Sequence, residues 1–136
     1  MRISAKAEYA CLAVLALAHG RPGDPPVRIR EIAQSYGIPA RYLVQILLQL
    51  KGSGLVASTR GASGGYRLAR PATSISLGEV LTAIDGPEPP PREALEPAAQ
   101  ALALVWKHVR AAERAVLDQI SIAQLAEQVS PREWVI

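Results

Sequence analysis

The side chains best suited to recognise a polyanion are concentrated in the first half of this 136-residue chain. Arg41, Tyr42 and Gln45 lie close together, and Arg60 and Arg67 flank a glycine-rich segment. Arginine can donate two hydrogen bonds to guanine and glutamine can pair with adenine, whereas tyrosine can bind a phosphate or pack on a sugar. Further cations that could hold phosphates in register are Lys6, Arg28, Arg30 and Lys51. Together these residue types predict contact with double-stranded DNA.

The charge distribution supports the same interpretation. Residues 1–71 contain ten Lys or Arg against three acids, a net charge of +7, whereas residues 72–136 contain five against nine, a net charge of −4. The basic half would attract a polyanion, and the contrast indicates that the two halves have different functions. The alternative is a chance imbalance on solvated surfaces, and charge alone does not separate the two.

Other classes of function lack the residues they need. The Gly61–Gly65 segment has neither the Lys-Ser/Thr pair nor the following helix of a phosphate-binding loop, and one cysteine and two histidines offer no recognisable catalytic set. We therefore predict no enzyme activity and no catalytic residues.

The six aromatic residues are not interleaved with basic ones, as an RNA-stacking platform would require. The remaining alternative is a protein-interaction module without specific DNA readout, which the steep salt dependence of phosphate contacts would distinguish.

The local sequence places the candidate DNA-binding residues on a winged helix-turn-helix, which we assign to residues 1–71. Ser4 can cap a first helix, and Gly37-Ile-Pro39 predicts a tight turn between the second and third helices. Two strand-like segments around the glycine-rich segment predict a β-hairpin wing. The predicted elements are helices at 5–18, 28–36 and 40–51 and strands at 55–59 and 66–69. In this arrangement the second helix of the helix-turn-helix enters the major groove, and the wing can reach the minor groove.

The second half of the chain predicts a connecting segment and then a long helix. Ser76 and Glu79 form a capping box that opens a helix ending at Asp85-Gly86, and a proline-rich loop completes the connection over residues 72–97. Residues 98–136 are predicted to hold a long helix to about Asp118, a short last helix and a tail. The expected fold class is therefore mainly α with a small β-hairpin wing.

The long helix carries an apolar seam with the spacing of a coiled coil. Its members are Ala98, Leu102, Val105, Val109, Ala112 and Val116, and Trp106 and Leu117 widen it. The seam must be buried, either on its own domain or, as we favour, on the same helix of a second chain. The residues predicted to form this homodimer interface are Leu102, Val105, Trp106, Val109 and Val116.

Cellular location and thiol chemistry are broadly constrained. No apolar segment approaches the roughly 20 residues needed to cross a bilayer, and Lys6 and Glu8 interrupt the stretch where a signal peptide would lie, which favours the cytoplasm. The single cysteine, Cys11, excludes an intrachain disulfide framework. We interpret it as a small buried apolar residue of the first helix, with a redox role as the alternative.

Motifs along most of the chain resemble those of a known family. The segments are Arg30-Glu-Ile-Ala33, Gly37-Ile-Pro-Ala-Arg-Tyr-Leu43, Gln45-Ile-Leu-Leu-Gln-Leu50, Gly54-Leu-Val56, Arg60-Gly-Ala-Ser-Gly-Gly-Tyr-Arg-Leu68, Leu77-Gly-Glu-Val80, Ala83-Ile-Asp-Gly86, Val105-Trp106 and Ile120-Ser-Ile-Ala-Gln-Leu125. They resemble the Rrf2 (IscR/NsrR/CymR) family of bacterial winged helix-turn-helix transcriptional regulators.

The resemblance implies a homodimer formed through the long C-terminal helix and a palindromic operator, with repression as the commoner outcome. It implies that Arg41, Tyr42 and Gln45 contact bases or phosphates and that Arg60 enters the minor groove. Where many members carry an acid just before the matching glutamine, this chain has Val44, so its operator preference is expected to differ. A small-molecule or protein effector is compatible with the resemblance, which does not identify one.

The resemblance is to the cluster-free branch of the family. Cluster-binding members carry three cysteines in the loop before the long helix, whereas the loop Gly86–Pro97 has none. Iron–sulfur clusters need thiolate ligands. Glu8 lies where some relatives use a carboxylate ligand, but one carboxylate cannot hold a cluster, and His19 and His108 have no ligand spacing. We therefore expect no cofactor and no metal ligands.

Overall fold

A computed structural model describes residues 2–20, 23–62, 64–90 and 92–129 of the chain. Its elements in order are α1 (Ala5–Ala18), α2 (Ile29–Tyr36), α3 (Ala40–Gly52), β1 (Val56–Thr59), β2 (Gly65–Leu68), a 3₁₀ turn (Ala72–Ser74), α4 (Leu77–Asp85), α5 (Pro97–Gln119) and α6 (Ile122–Glu127). The predicted fold class, mainly α with a hairpin wing, is confirmed. Within the described ranges, no helix combines the length and hydropathy of a membrane span. The predicted tail, residues 130–136, lies outside the described residues.

The element boundaries differ from the expected ones by single residues, for local reasons. Arg28 has extended backbone and precedes α2 as its N-terminal cap. β2 begins at Gly65 because that residue pairs with Thr59 of β1. α5 begins at Pro97, since proline is well tolerated in a first helical turn, where its missing N–H group has no helical partner.

α1 is the central helix of the core. Its side chains are mostly small and apolar, and Ala7, Ala10, Ala13 and Val14 have no exposed surface. Small side chains let neighbouring elements approach closely, and α1 packs against α3, α4, α6 and β2. The helix is therefore buried on several sides at once, which accounts for its lack of a polar face.

Hydrogen bonds fasten α1 and α3 to the end of α4. The Ser4 hydroxyl caps α1 by accepting the Ala7 N–H at 3.0 Å, and it donates to the Asp85 carboxylate at 3.1 Å. The Gln49 side-chain amide of α3 donates to the Ile84 carbonyl oxygen at 3.3 Å. Asp85 and Ile84 are the last two residues of α4, so three helices meet at one corner.

The turn between α2 and α3 depends on Gly37. This residue has φ of +65°, in the left-handed region that only glycine adopts without steric penalty, and its N–H donates to the Ala33 carbonyl. Ile38 follows and is almost completely buried together with Ile32 of α2. Pro39 then caps α3, so the turn is short and its apolar contacts set how the two helices meet.

The wing is anchored to the loop before α2. The Val27 N–H donates to the Tyr66 carbonyl at 2.8 Å, and the Tyr66 N–H donates to the Val27 carbonyl at 2.7 Å. Val27 thus forms an isolated antiparallel bridge to β2, on the side of β2 that does not face β1. A Cβ atom at Gly65 would lie 2.5 Å from the Val27 carbonyl oxygen. Only glycine allows this approach, so Gly65 determines where the wing meets the helix-turn-helix.

α4 and α6 complete the same core from the second half of the chain. Ser76 and Glu79 form the predicted capping box of α4, and Ser121 opens α6 with a second one. The Ile122 N–H donates to the Ile75 carbonyl at 2.8 Å, and both of these side chains are fully buried. The packed core therefore continues past residue 71, and the predicted division of the chain at that point stays a prediction about function.

α5 differs from the other long helices because none of its 23 residues is buried. At about 1.5 Å per residue the helix is roughly 35 Å long. The Arg114 Nε lies 3.0 Å from the Asp118 carboxylate within α5. The Arg114 Nη1 donates to the Thr82 hydroxyl of α4 at 2.7 Å, and this bond holds α5 against α4. About one turn nearer the N-terminus of α5, the Arg110 Nε lies 3.6 Å from the Glu88 carboxylate of the connecting loop. These polar contacts fix one side of α5 and leave its apolar seam uncovered.

Candidate nucleic-acid interface

α3 separates a buried face from an exposed one. The buried face consists of Leu43, Ile46, Leu47 and Leu50. The exposed face, which we call the reading stripe, consists of Arg41, Val44, Gln45, Leu48 and Lys51. Arg41 and Gln45 lie four residues apart, as do Val44 and Leu48, and Lys51 follows Leu48 by three. This spacing places all five on one side of the helix. Arg41, Gln45 and Lys51 therefore share one accessible surface, and their base and phosphate contacts stay predictions.

Two members of the reading stripe are apolar. Val44 is 38% exposed and Leu48 is 56% exposed. From the sequence, Val44 was distinguished only as a departure from the family pattern, and the exposure of Leu48 was not predicted. The helical periodicity of α3 could have predicted this exposure, because the period that assigns Leu47 and Leu50 to the core places Leu48 on the opposite side of the helix.

Tyr42 differs from its neighbours because its ring is partly buried against the core. It packs edge-to-face on Tyr9 of α1, with ring centroids 5.8 Å apart and planes at 88°. Such aromatic pairs contribute about 0.5–1.5 kcal/mol beyond area burial. The ring of Tyr42 is thus held in place, and only the exposed remainder of this side chain is available for the predicted phosphate or sugar contact.

Arg28 links the helix-turn-helix to the wing. Its guanidinium Nη2 donates to the carbonyl oxygen of Ala62, in the turn between β1 and β2. Sequence reasoning predicted Arg28 only as a phosphate contact and missed this positioning role. Arg30 is exposed in the first turn of α2. Both cations lie at the N-terminal end of α2, where free backbone N–H groups also favour anions.

The wing presents two arginines to solvent. Arg60 follows β1 directly, at the start of the turn. Arg67 lies opposite Ala57 in the hairpin, on the face away from Tyr66, whose side chain packs on the core. Lys6 lies apart from both, half-exposed in the first turn of α1. The geometry therefore groups Arg60 and Arg67 on the wing and leaves Lys6 as a separate candidate contact.

No acidic residue offsets these cations along the segment that forms α3 and the wing. Between Glu31 and Glu79 the sequence contains no Asp or Glu and five Lys or Arg. One of the five, Arg70, lies after the hairpin and pairs with the Glu79 carboxylate at 2.9 Å, which leaves Arg41, Lys51, Arg60 and Arg67 on α3 and the hairpin. We call α3 together with the hairpin the acid-free surface. Its uncompensated charge would attract a phosphate backbone, and the attraction would weaken as salt rises.

The predicted dimer seam lies on the far part of the chain and is exposed. Its large side chains are between 45% and 56% exposed, and they are Leu102, Val105, Trp106, Val109 and Val116. Large apolar side chains in a row on one helix mark an interaction surface more often than isolated ones do. The described part of this chain does not bury the seam itself.

The donors that an iron site would need are not brought together. Burial, with a smaller contribution from the charge of Glu8, raises the pKa of the Cys11 thiol to about 11. A cluster ligand must be a thiolate, whereas a thiol with this pKa stays protonated near neutral pH. Among the described residues, no three His, Cys, Asp or Glu side chains form a group that could hold a metal. The residues present therefore do not fit an iron–sulfur cluster.

Comparison with known proteins identifies the family. The model of the Rrf2 family, described as an iron-dependent transcriptional regulator, matches residues 3–128. A Mycobacterium tuberculosis protein, Rv1287, whose name assigns it provisionally to the HTH-type transcriptional regulators, is 42% identical over 96% of this chain and 84% of its own length. The HTH-type transcriptional regulator CymR of Bacillus subtilis is 35% identical over 93% of this chain and 90% of its own length.

Solved structures give the same result. The structure of CymR, the global cysteine regulator of B. subtilis, superposes with a TM-score of 0.84 at 33% identity and covers 96% of this chain and 99% of that one. The structure of IscR from T. potens superposes with a TM-score of 0.79 at 30% identity and covers 97% of this chain and 90% of that one. The chain belongs to the Rrf2 family and is a DNA-binding transcriptional regulator, not an enzyme.

Proposed function

We propose that this regulator binds a palindromic operator as a homodimer, represses transcription there, and does so without an iron–sulfur cluster. The observation that carries the proposal is the presence of two uncovered surfaces on one chain. The acid-free surface suits DNA, and the apolar seam of α5 suits a second copy. The proposed place of action is the cytoplasm, where bacterial DNA lies.

The reading stripe supplies the chemistry of sequence recognition. Arg41 can donate two hydrogen bonds to guanine, and Gln45 can pair with adenine. In this proposal Lys51, Arg30 and the exposed part of Tyr42 hold phosphates around the groove. The wing carries Arg60, whose charge suits the strongly negative potential of a narrow minor groove. Arg28, Arg67 and Lys6 complete the proposed set of contacts.

The seam of α5 supports a homodimer. No residue of α5 is fully buried, so this helix gains less from packing on its own chain than the core helices do, because helical stability in proteins comes mostly from tertiary packing. Covering the exposed half of each large seam side chain would contribute roughly 1 kcal/mol. A symmetric dimer carries two copies of α3 related by a two-fold axis, and such a dimer reads a palindrome.

Repression and independence from a cluster follow from the same surfaces. A dimer seated on its operator excludes other proteins from the DNA that it covers, which is sufficient for repression. The family description names iron, but this chain has one cysteine, and partial burial raises the pKa of its thiol to about 11. We therefore propose that DNA binding by this member does not depend on bound iron.

Selection of bound duplexes from a random DNA pool at two salt concentrations tests the main proposal. We expect enrichment of a palindrome whose half-sites are centred about one helical turn apart, with weaker retention at the higher salt concentration because phosphate contacts release counterions. Retention without any enriched sequence would contradict specific readout. Absence of DNA binding at low salt would instead favour the protein-interaction alternative.

Arg60→Ala tests the role of the wing. We expect operator affinity to fall by about 1–3 kcal/mol, because a specific groove contact is lost. The matched control is Arg92→Ala, which removes an exposed arginine from the connecting loop and should leave affinity nearly unchanged. Fluorescence anisotropy with the selected duplex measures both. Wild-type affinity in Arg60→Ala would show that the wing arginine does not contact the operator.

Val109→Asp tests the dimer seam. A charge at this position would be buried unpaired in the interface, so we expect a monomer in sedimentation velocity and weaker binding to the full palindrome. Ala111→Asp adds the same charge to an exposed residue of α5 away from the seam, and it should stay dimeric. An unchanged dimer in Val109→Asp would mean that the copies associate through another surface.

Cys11→Ala tests independence from a cluster. Protein purified without oxygen should show no visible absorbance from iron and sulfide, and the variant should bind the selected duplex with wild-type affinity. The physical reason is that the half-buried Cys11 is the only cysteine of the sequence, and one thiol cannot hold an iron–sulfur cluster. A visible absorption band that disappears in Cys11→Ala would contradict the proposal.

A further inference from the structure

We propose that Val44 and Leu48 read the C5-methyl groups of thymines in the major groove, so that each operator half-site contains thymine opposite this part of α3. This inference deepens the proposed function and rests on it. It assigns a specificity role to two side chains that cannot form hydrogen bonds, and the chemistry that they recognise is the thymine methyl group.

The exposure of these two side chains is unusual for the surface that carries them. In the described part of residues 1–71, the large apolar side chains that are exposed are Ile3, Val44 and Leu48. Two of the three lie on the reading stripe, four residues apart on the same side of α3. A single exposed apolar residue needs no explanation, but neighbouring ones within a basic, acid-free surface do.

The neighbours of Val44 and Leu48 identify the partner as DNA. Arg41 and Gln45 form a parallel row on the same helix face, also four residues apart, and Lys51 follows one turn beyond Leu48. An apolar protein partner would require desolvation of these polar groups, whereas a major groove offers acceptors for them and methyl groups beside those acceptors.

The spacing of the two side chains fits the spacing of bases. Four residues of α-helix advance about 6 Å along the helix axis. Successive bases on one strand are about 3.4 Å apart, so two base steps cover nearly the same distance. Val44 and Leu48 can therefore contact methyl groups about two steps apart while Arg41 and Gln45 contact the adjacent base edges. An acid at the position of Val44 would instead accept a hydrogen bond from cytosine N4.

Deoxyuridine substitution tests the proposal, because deoxyuridine lacks only the C5-methyl group of thymidine. Each thymine of the selected duplex is replaced in turn, and affinity is measured by fluorescence anisotropy. At one or two positions per half-site we expect a loss of about four-fold, rising to about 15-fold when both half-sites carry the change. Leu48→Ala and Val44→Ala should bind the unmodified duplex more weakly, and each should become insensitive to one of these substitutions.

Leu95→Ala is the matched control, since Leu95 is an exposed leucine of the connecting loop. It should keep both wild-type affinity and the full sensitivity to deoxyuridine. Unchanged thermal midpoints and unchanged sedimentation of Val44→Ala and Leu48→Ala would support a role at the DNA surface alone. A change of oligomeric state in either variant would overturn the proposal in favour of a second copy covering the stripe.

The failure of this inference is distinguishable from the failure of the proposed function. If the wild-type protein prefers the selected duplex over a scrambled duplex of the same composition, specific DNA readout stands. With that preference intact, the methyl-reading proposal is overturned if deoxyuridine substitutions leave the affinity unchanged. It is also overturned if they lower the affinity equally for the wild type and the variants, or if the selected half-sites contain no thymine. If the preference is absent, both proposals are overturned.

Discussion

Burial of α1 on several sides is the constraint on which the positions of the other elements depend. Its alanines at positions 7, 10, 13 and 16 present almost no surface to solvent, and larger side chains there would push the neighbouring elements apart. α3, α4, α6 and the return strand of the wing all pack on this one helix. The positions of the reading stripe and of the wing arginines are therefore fixed by packing in the interior.

α4 connects the candidate DNA-binding surface with the candidate dimer surface. Its last turn is bonded to Gln49 of α3 and to Ser4 at the start of α1, while Thr82 accepts a hydrogen bond from Arg114 of α5. α4 therefore makes hydrogen bonds both to α3 and to α5. In the proposed dimer, this arrangement sets the separation of the two reading stripes and hence the spacing of the half-sites.

The family resemblance and the composition of this chain diverge at Val44 of α3 and in the loop between α4 and α5. Apart from half-buried Ala94, the described residues of this loop are exposed, and the loop contributes nothing to the buried core. Its composition can therefore change without disturbing the fold. A protein with this scaffold can lack the cysteines of cluster-binding relatives and still present the same winged helix-turn-helix, since the thiolate ligands and the core are physically separate.

The sequence by itself determined the local features of this protein. Apolar periods, caps and turn residues predicted every helix and both strands to within a residue, because these signals act over a few neighbouring positions. Charge and motif predicted a DNA-binding surface on α3 and the wing, which stays a prediction, and the exposure of Leu48 on that surface was not predicted. Only the tertiary structure decided the contacts between distant positions: Ser4 with Asp85, Arg28 with Ala62, and Val27 with Tyr66. Such pairs have no local period, since each arises from how whole elements pack around α1.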